Sequence, residues 1–499
     1  MSTPRLSRRR FLAAGAASGA GALAAGAGTG TADAASRHRR RRKVDVAVVG
    51  GGFAGLSAAW DVMRAGHSVL VLEAQGHVGG RARNRRIGGG EITERGATFA
   101  GPTQNKILAL AKEMGVATFP TYDEGQAVYF ADGERLLYSD TSPLGTAPPD
   151  PLVVPDVAQV IPRLDDMATR VPVDAPWRAQ QALEWDSQTF DTWIRDNSSN
   201  TPRFKQLVAA AMRPIFGAEA REVSLLYVLF YIAASGDEQH QGTFERNFNT
   251  RDGAQMFRFE GGSQRIAIRL ARRLGKRVVL HQPVQRIQQS SKGVTVTSRS
   301  LRVHAKRVIV TAPPALAARI EYGPPLLIER DQLTQDVRQG NLMKVTAVYD
   351  RPFWREQGLS GTGITLNGPA NVVFDDSPED GSPGVLFGFI GGDSARDFYG
   401  RRPRERRALA LQGLADLFGP QALGARAYYE STWPAERWHR GGPVGLFSPG
   451  TLVSHGHALR EPIGRIHWAG TESSTYWIGY MDGAVRSGQR AAAEVLAAL

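Results

Sequence analysis

Apolar residues near the start of the chain follow two different periods, and this pattern predicts a strand, a helix and a second strand. Residues 44–49, VDVAVV, are apolar and β-branched, as in a strand buried on both faces. Residues 53–66 repeat apolar side chains at helical spacing and end at Gly66, a common helix C-terminal cap. Residues 68–73, SVLVLE, form the next apolar run. Together these runs predict one β-α-β unit.

The rest of the pattern divides the chain into a helical middle and strand-rich flanks. Residues 157–240 read mainly as helices, including the apolar run 223–234. Strand patterns return after residue 256, and VIVTAPP at 308–314 reads as another buried strand. The C-terminal stretch predicts a strand, a loop and a helix. We therefore expect an α/β fold in which a Rossmann-like domain is assembled from separate chain segments, with a second domain between them.

The turn between the first predicted strand and helix has the spacing G-x-G-x-x-G at Gly50, Gly52 and Gly55. The first glycine permits a tight turn, the second lets a pyrophosphate approach the backbone, and the third lets helix and strand pack closely. Phe53 and Ala54 begin the helix, whose free N–H groups would face the phosphates. The turn therefore predicts a dinucleotide site.

A second glycine turn narrows the cofactor to FAD. Glu73 ends the second predicted strand, where a carboxylate can accept both ribose hydroxyls; the alternative is a surface carboxylate. Ala74 follows, and then Gly79, Gly80 and Arg81. This GGR turn looks like the second fingerprint of FAD-binding flavoproteins, which nicotinamide enzymes lack. The arginine can lie along the pyrophosphate and supply charge and a planar donor fork.

Three longer segments resemble the flavin monoamine oxidase family: GPTQNKILALAKEMG at 101–115, KVTAVYDRPFWRE at 344–356 and WAGTESSTYWIGYMDGAVRSGQRAA at 468–492. The resemblance covers residues 44–499. It implies a Rossmann-like FAD-binding domain and an α+β substrate-binding domain. On the sequence pattern, we assign residues 44–125, 256–333 and 437–499 to the first, and residues 126–255 and 334–436 to the second.

In that family the amine lies between two aromatic side chains in front of the flavin ring. Tyr480 matches one side of this cage. The other side follows the cysteine that attaches the flavin, and an ungapped match puts Gly442 at the cysteine position and Pro443 at the aromatic position. The chain has no cysteine, so we expect FAD to be held non-covalently. Spacing does not decide which residue supplies the missing side; the candidates are Phe447, Trp477 and Phe248.

Three further matches concern the reaction. Lys344 matches the family lysine that reaches a water beside flavin N5, where a cation favours superoxide-like charge on oxygen; the alternative is a surface lysine on an edge strand. Trp433 matches a tryptophan that packs against the flavin, the alternative being a core tryptophan. Gln255 matches a glutamine of the substrate cavity and could equally be a loop residue.

The remaining expected FAD contacts also come from the resemblance. Val284 matches a residue whose backbone contacts adenine, and Glu472 matches one at the ribityl and pyrophosphate end. The other positions of the family's FAD site are Gly96, Ala97, Thr98, Gly470, Gly479, Tyr480 and Met481.

The implied activity is FAD-dependent oxidation of a primary amine, with aromatic amines among the candidates. The imine would hydrolyse to an aldehyde and ammonia, and oxygen would be reduced to hydrogen peroxide. Related amino-acid oxidases place an arginine just after the Gly96-Ala97 pair to bind a carboxylate, whereas this chain has Thr98-Phe99. This difference favours amines without a carboxylate and leaves polyamines open. The alternatives are an L-amino-acid oxidase of the same fold and a non-catalytic FAD-binding protein.

The net charge of +13 first suggests nucleic acid as a partner, but its distribution argues against that. The first 43 residues hold ten Arg or Lys and one acid, so the body is only mildly basic. We therefore expect small-molecule amine and oxygen as partners and no nucleic acid. The ten histidines show no metal-ligand spacing and cysteine is absent, so no metal site is expected.

The N-terminal pattern predicts export. SRRRFL at 7–12, followed by a weakly apolar Ala/Gly run, is a twin-arginine signal that would engage the twin-arginine translocase. We expect a signal peptide over residues 1–34, cleavage after Ala34, a solvated basic tether at 35–43 and a bacterial extracytoplasmic location. The apolar run is too weak for a stable membrane span, and the alternative is an uncleaved anchor. This route carries folded proteins, which suits a non-covalent FAD loaded before export.

Overall fold

The computed structural model describes residues 39–139, 141, 145 and 147–499, and residues 40–499 pack as one unit. The predicted β-α-β unit is present. Strand β1, Arg40–Val49, is followed by helix α1, Phe53–Arg64, and strand β2, Val69–Leu72. The strands are buried at Val46–Val49 and throughout β2, because β-branched residues fill both faces of a sheet covered by helices.

Within the described residues the β-strands, β1 to β21 in chain order, are Arg40–Val49, Val69–Leu72, Asn84–Gly88, Glu91–Glu94, Thr118–Pro120, Gln126–Ala131, Glu134–Tyr138, Phe257–Phe259, Val278–Val279, Val284–Ser290, Gly293–Ser298, Leu301–Val310, Glu321–Gly323, Arg338–Gln339, Leu342–Tyr349, Leu359–Thr365, Val372–Asp375, Gly384–Gly391, Ala427–Thr432, Gly445–Leu446 and Ile466–Trp468.

The α-helices of the same residues, α1 to α15, are Phe53–Arg64, Asn105–Glu113, Val154–Ala168, Ala182–Asp186, Phe190–Asn197, Pro202–Phe216, Leu225–Ala233, Gln264–Leu274, Pro314–Ala317, Ile328–Asp336, Phe353–Glu356, Gly392–Gly400, Pro403–Phe418, Thr451–His455 and Met481–Ala497.

An eight-stranded sheet forms the first half of the protein. Its order is β13-β10-β11-β12-β1-β2-β9, and β21 pairs with β12. Strands β12, β1, β2 and β9 run parallel, while β10 and β11 form an antiparallel hairpin. The strands come from three separated stretches of the chain, which brings the ends of β1, β2 and β12 to one edge. A ligand of such a sheet binds beyond the carboxyl ends of its parallel strands.

A seven-stranded sheet of order β19-β15-β18-β17-β16-β6-β7 and a group of helices form the second half. Strand β15 lies between β18 and β19 and is buried along its whole length. Helix α7 is also buried throughout, since it is apolar on every face, and Ser224 caps it by accepting a hydrogen bond from the Tyr227 N–H. The predicted α/β class, with a Rossmann-like part built from three segments, is confirmed.

The predicted basic tether is wrong for residues 40–43. These residues are the first four of β1, and their backbone pairs in parallel with β12, from Leu301 to His304. Four consecutive basic residues are typical of a solvated segment. Here their side chains are exposed, but their backbone is hydrogen-bonded to β12. The predicted signal peptide and residues 35–38 lie outside the described residues. The boundaries at 126, 256, 334 and 437 stay predictions, because residues 40–499 pack as one unit.

Candidate active site

The turn after β1 leaves backbone N–H groups open at the edge of the eight-stranded sheet. Gly50 has φ +109°, and a Cβ there would lie 2.5 Å from Thr311 Oγ1. A Cβ on Gly55 would lie 2.0 Å from the Gly50 carbonyl oxygen, so α1 can approach β1 only with glycine at both positions. No side chain caps α1 and its first turn holds no acid. This N-terminus is therefore available to a phosphate.

Glu73 stands at the carboxyl end of β2 and completes this turn. Its carboxylate accepts hydrogen bonds from the Gly51 N–H at 2.6 Å and the Gln75 N–H at 2.7 Å. Burial raises the pKa of Glu73 above its ordinary value, and these N–H groups oppose that rise. The carboxylate retains lone pairs for further donors, which is what a ribose diol would offer.

A cavity of about 480 Å³ begins at this turn. The open glycine turn, the uncapped helix and the buried carboxylate fit FAD by the chemistry of their donors and acceptors. Fourteen of the predicted cofactor positions line the cavity: Gly50, Gly52, Phe53, Ala54, Glu73, Ala74, Gly80, Arg81, Ala97, Val284, Gly470, Gly479, Tyr480 and Met481.

Arg81 is fixed by Glu472 where this cavity ends. Its guanidinium makes a bidentate pair with the carboxylate, at 2.7 and 3.0 Å, and also donates to the Pro443 carbonyl oxygen at 2.7 Å. Burial raises the pKa of Glu472, but the charge and hydrogen bonds of Arg81 outweigh this and hold it below its ordinary value. Glu472 is thus placed behind Arg81, and its predicted contact with the ribityl end stays a prediction. Gly55 likewise supports the cavity from behind.

A second cavity of about 360 Å³ meets the first. We refer to the first as the cofactor cavity and to the second as the substrate cavity. The residues that line both are Arg81, Ala97, Gly479, Tyr480 and Met481. The predicted positions Gly96, Thr98, Gln255, Lys344, Trp433 and Pro443 line the second cavity. The structure therefore brings the predicted cofactor and substrate residues to one junction.

Lys344 lies on the central strand β15 and is only 1% exposed, so the alternative of a surface lysine on an edge strand is wrong. Its Nζ donates a hydrogen bond to Thr98 Oγ1 at 2.8 Å and lies 3.5 Å from the ring centre of Phe387. Burial lowers the pKa of Lys344 to about 8. A buried ammonium whose pKa is lowered in this way is sensitive to the charges around it.

Trp433 forms part of the same cavity and is held from two sides. Its Nε1–H donates to the Arg95 carbonyl oxygen at 2.9 Å, and its ring packs edge-on against His439 with centroids 4.7 Å apart. A Cβ on Gly96 would lie 2.6 Å from the indole, so glycine is required for this close approach. Trp433 is thus both buried and a cavity residue, which leaves its predicted flavin contact open to test.

Tyr480 and Gln255 meet at Asn247. The Tyr480 hydroxyl donates to Asn247 Oδ1 at 3.2 Å, and Gln255 Nε2 donates to the Asn247 carbonyl oxygen at 3.0 Å. In the described part of the chain, Gln255 Oε1 is buried without a hydrogen-bond partner. An unsatisfied acceptor on a cavity is a group that a bound amine could satisfy.

The three candidates for the missing side of the cage lie in different surroundings. Phe447 packs in the helical core against Tyr227, with centroids 4.7 Å apart, and Trp477 lies edge-on behind Tyr480 at 4.9 Å. Phe248 lines the substrate cavity and packs on Phe244. Phe248 is therefore the one of the three with access to a substrate.

Sequence reasoning missed Tyr231, Asn247 and His439. Tyr231 lines the substrate cavity, with its ring centre 5.9 Å from that of Tyr480. His439 lines the cofactor cavity, and burial lowers its pKa to about 4. The only available signal for Tyr231 was a polar-tipped aromatic residue in an otherwise apolar helix. No local signal marked the other two.

The described residues offer neither a cluster that could hold a metal ion nor a helix that could cross a membrane. No group of three or more His, Cys, Asp or Glu side chains is arranged to hold a metal ion. Among the helices described, none is both long and apolar enough to cross a membrane.

A Rossmann-like cofactor cavity that meets a mainly apolar cavity with a buried lysine is typical of a flavin-dependent oxidoreductase of small molecules. The family model for flavin-containing amine oxidoreductases matches residues 53–496. This chain belongs to that family and is an FAD-dependent amine oxidase. Because the sequence contains no cysteine, no cysteinyl link to FAD can form.

The similarity to individual relatives extends over nearly the whole chain. A putative flavin-containing monoamine oxidase, AofH, of Mycobacterium tuberculosis is 42% identical over 457 residues, which are 91% of this chain and 97% of that protein. The structure of putrescine oxidase bound to putrescine has a TM-score of 0.86 and 34% identity, and the match covers 92% of this chain and 100% of that one. Cyclohexylamine oxidase from Brevibacterium oxydans has a TM-score of 0.86 and 33% identity, with 91% and 99% covered.

Proposed function

We propose that the protein oxidises a primary monoamine with a bulky apolar substituent, aromatic or cycloaliphatic, and passes the electrons to oxygen. The observation that carries the proposal is the composition of the substrate cavity. Its lining is mainly aliphatic and aromatic, and Asp123 is the one acidic residue that lines it in the described part of the chain. That carboxylate faces Arg251 at 3.3 Å. An apolar amine gains from such a cavity, whereas a second ammonium group would lose its hydration there.

The chain's residues bind and orient the amine and exclude water from it. Tyr480 lies at the junction of the cavities, held by Asn247 and Trp477, and presents a rigid ring to the substrate. FAD, when bound, accepts the two electrons removed with the α-hydrogen. The imine product hydrolyses to an aldehyde and ammonia, and oxygen is reduced to hydrogen peroxide. Lys344 supplies a buried cation where charge develops on oxygen.

The surroundings of the cavity arginines argue against an amino-acid substrate. Arg95 Nη2 lies 2.8 Å from Glu436 Oε1, and Arg81 is paired with Glu472. Phe99, in the Thr98-Phe99 stretch where related amino-acid oxidases carry arginine, packs on Phe374 with ring centres 5.2 Å apart. The cavity arginines described here therefore already have carboxylate partners, which disfavours a substrate carboxylate.

A peroxide-coupled assay tests the proposal. The panel contains phenethylamine, tyramine, cyclohexylamine, putrescine and the common L-amino acids. We expect kcat/KM to be highest for the apolar monoamines and at least about 10-fold lower for putrescine, which must bury a second charge. Turnover of amino acids alone would establish the amino-acid oxidase alternative. Failure of every amine to reduce the flavin anaerobically would support a non-catalytic FAD-binding protein.

We further propose that the protein is exported folded by the twin-arginine route. The support is the SRRRFL pattern together with a cofactor that is not covalently held, since a chain threaded unfolded would arrive without its FAD. Replacing Arg8 and Arg9 by lysine should retain the protein in the cytoplasm, with the unchanged signal as the control. N-terminal sequencing of the exported form tests cleavage after Ala34. Export of the double variant at the normal rate would contradict the proposal.

A further inference from the structure

Four charged side chains lie buried together beside the substrate cavity. Glu94 ends β4, Arg258 lies on β8, Lys344 lies on β15 and Asp376 follows β17; each is at most 4% exposed. We refer to these four residues as the buried charge cluster. It holds two acids and two bases, so their formal charges balance. Only Lys344 among them lines the cavity.

Asp376 and Arg258 form a close ion pair, and neighbouring groups hold both side chains in place. Arg258 Nη2 lies 2.7 Å from Asp376 Oδ1 and donates to the Asp376 carbonyl oxygen at 3.0 Å, while Nη1 donates to the Ser377 carbonyl oxygen. Thr93 Oγ1 donates to Asp376 Oδ2 at 2.6 Å. This pair is thus a fixed part of the fold, and its two charges are compensated locally.

Glu94 is different, because no donor in the described residues bonds either of its carboxylate oxygens. Its nearest cation is Arg258, with Nη2 3.6 Å from Oε2, and Arg258 is already engaged by Asp376. Burying a carboxylate without hydrogen bonds is costly, so a purely structural position would favour an apolar residue or an amide. A carboxyl group at this position therefore requires an explanation other than local hydrogen bonding.

Lys344 provides that explanation. Among the described residues its ammonium has one hydrogen-bond acceptor, Thr98 Oγ1, and the rings of Phe387 and Phe389 lie around it; this is too little to replace water. The charged groups that act on it are Asp376 and Glu94, which favour its charge, and Arg258, which opposes it. The nearby Arg95 is turned toward Glu436.

Burial shifts the pKa values of Glu94 and Lys344 in opposite directions. Burial raises the pKa of Glu94 to about 7, and neighbouring Asp376 adds to this rise. Burial lowers the pKa of Lys344 to about 8, against the pull of the two carboxylates. Burial disfavours the charge of each group, and the carboxylate of Glu94 and the ammonium of Lys344 each favour the charge of the other.

We propose that Glu94 is a positioning residue whose carboxylate, placed by the Arg258–Asp376 pair, keeps Lys344 in its ammonium form at the wall of the substrate cavity. This inference rests on the proposed function in one respect: it assumes that the charge on Lys344 assists the reduction of oxygen. The electrostatic coupling itself holds whatever the substrate is, and the two can be tested separately.

Glu94→Gln is the variant of choice, because it removes the charge at constant shape and breaks no hydrogen bond of the described residues. Holoenzyme labelled with ¹³Cε-lysine contains eight lysines, and Lys344→Met assigns the resonance of interest. We expect the titration midpoint of Lys344 to fall by about one pH unit or more in Glu94→Gln. Glu91→Gln, on the same strand, should leave it unchanged. A midpoint in Glu94→Gln equal to that of the wild type would overturn the inference.

Glu94→Asp gives a second, independent test, since it keeps the charge but draws it back toward the backbone of β4. We expect a smaller fall of the Lys344 midpoint than in Glu94→Gln, and a fall equal to that of Glu94→Gln would contradict a charge effect. Stopped-flow reoxidation of the reduced enzyme by oxygen then tests whether the charge on Lys344 assists the reduction of oxygen. The pH profile of the reoxidation rate should shift by as many pH units as the titration midpoint of Lys344. A shifted midpoint with an unmoved profile would support the coupling and contradict the proposed role of Lys344.

Discussion

The pair between Arg81 and Glu472 offers a sharp test of how the junction of the two cavities is held. Glu472→Gln removes the negative charge and leaves the shape nearly unchanged. The bidentate pair is lost, and the amide places an N–H₂ group against the guanidinium. The Gly445 N–H, which donates to Glu472 Oε1 at 3.2 Å, loses a charged acceptor as well.

The expected cost follows from the burial of the two side chains, which are 24% and 2% exposed. Removing one partner of a buried pair costs about 3–5 kcal/mol, because the other charge is left uncompensated. Arg81 keeps some solvent and its bond to the Pro443 carbonyl oxygen, so we expect the lower end, about 3 kcal/mol of unfolding free energy. This is a change of roughly 100-fold in the folding equilibrium.

Equilibrium urea unfolding of the FAD-free protein, followed by tryptophan fluorescence, measures this loss. The matched control is Glu436→Gln, which breaks the pair with Arg95 at a side chain that is 29% exposed and should cost less than about 1 kcal/mol. FAD titrations on both variants show whether Arg81 must be held for cofactor binding. Equal losses of stability in the two variants would refute the reasoning.

The same pair fixes the sign of a pH effect. Arg81 holds the pKa of Glu472 below its ordinary value even though burial alone would raise it. The stabilisation is therefore present at neutral pH and is lost as the pH falls through the folded-state pKa. The difference in stability between the wild type and Glu472→Gln should shrink in acid. A difference that grows in acid would contradict this sign.

Three further predictions concern the cofactor and the cage. Tyr480→Ala should lower amine turnover about 100-fold with FAD still bound, since it removes the ring that orients the substrate; unchanged turnover would show that the cage is misplaced. Gly55→Ala should lower FAD content and cost about 1–3 kcal/mol of unfolding free energy, because its Cβ would lie 2.0 Å from the Gly50 carbonyl oxygen. The control Gly413→Ala, whose Cβ would have no atom within 4 Å, should be tolerated. Equal effects of the two substitutions would refute the close-packing argument. Acid precipitation should release all flavin into the supernatant, and colour in the pellet would contradict non-covalent binding.

The glycine turn of the cofactor cavity could be predicted from local sequence because its parts are close along the chain. The glycine turn, its helix and Glu73 lie within one β-α-β unit, and each follows from steric or hydrogen-bonding needs of that unit. The same local reading failed for residues 40–43. Their side chains are exposed and basic, and only the distant partner β12 makes them a strand.

The cage shows where spacing stops being informative. Phe447, Trp477 and Phe248 were equal candidates from the sequence, and they differ only in which cavity or core each side chain enters. Tyr231 was missed because a tyrosine in an apolar helix is expected to pack in the hydrophobic core. Its place on the substrate cavity depends on how α7 packs against the segment that contains Tyr480.

By itself, the sequence determined the α/β class, the FAD fingerprint, the family, and the impossibility of a cysteinyl flavin, because these depend on residue identity and short-range spacing. The tertiary structure decided the electrostatics of the site. Glu94, Arg258, Lys344 and Asp376 come from four distant strands or strand ends, and nothing in their local sequence marks them as neighbours. Their coupling depends on distance and on the removal of water, and both arise only when the sheets pack together.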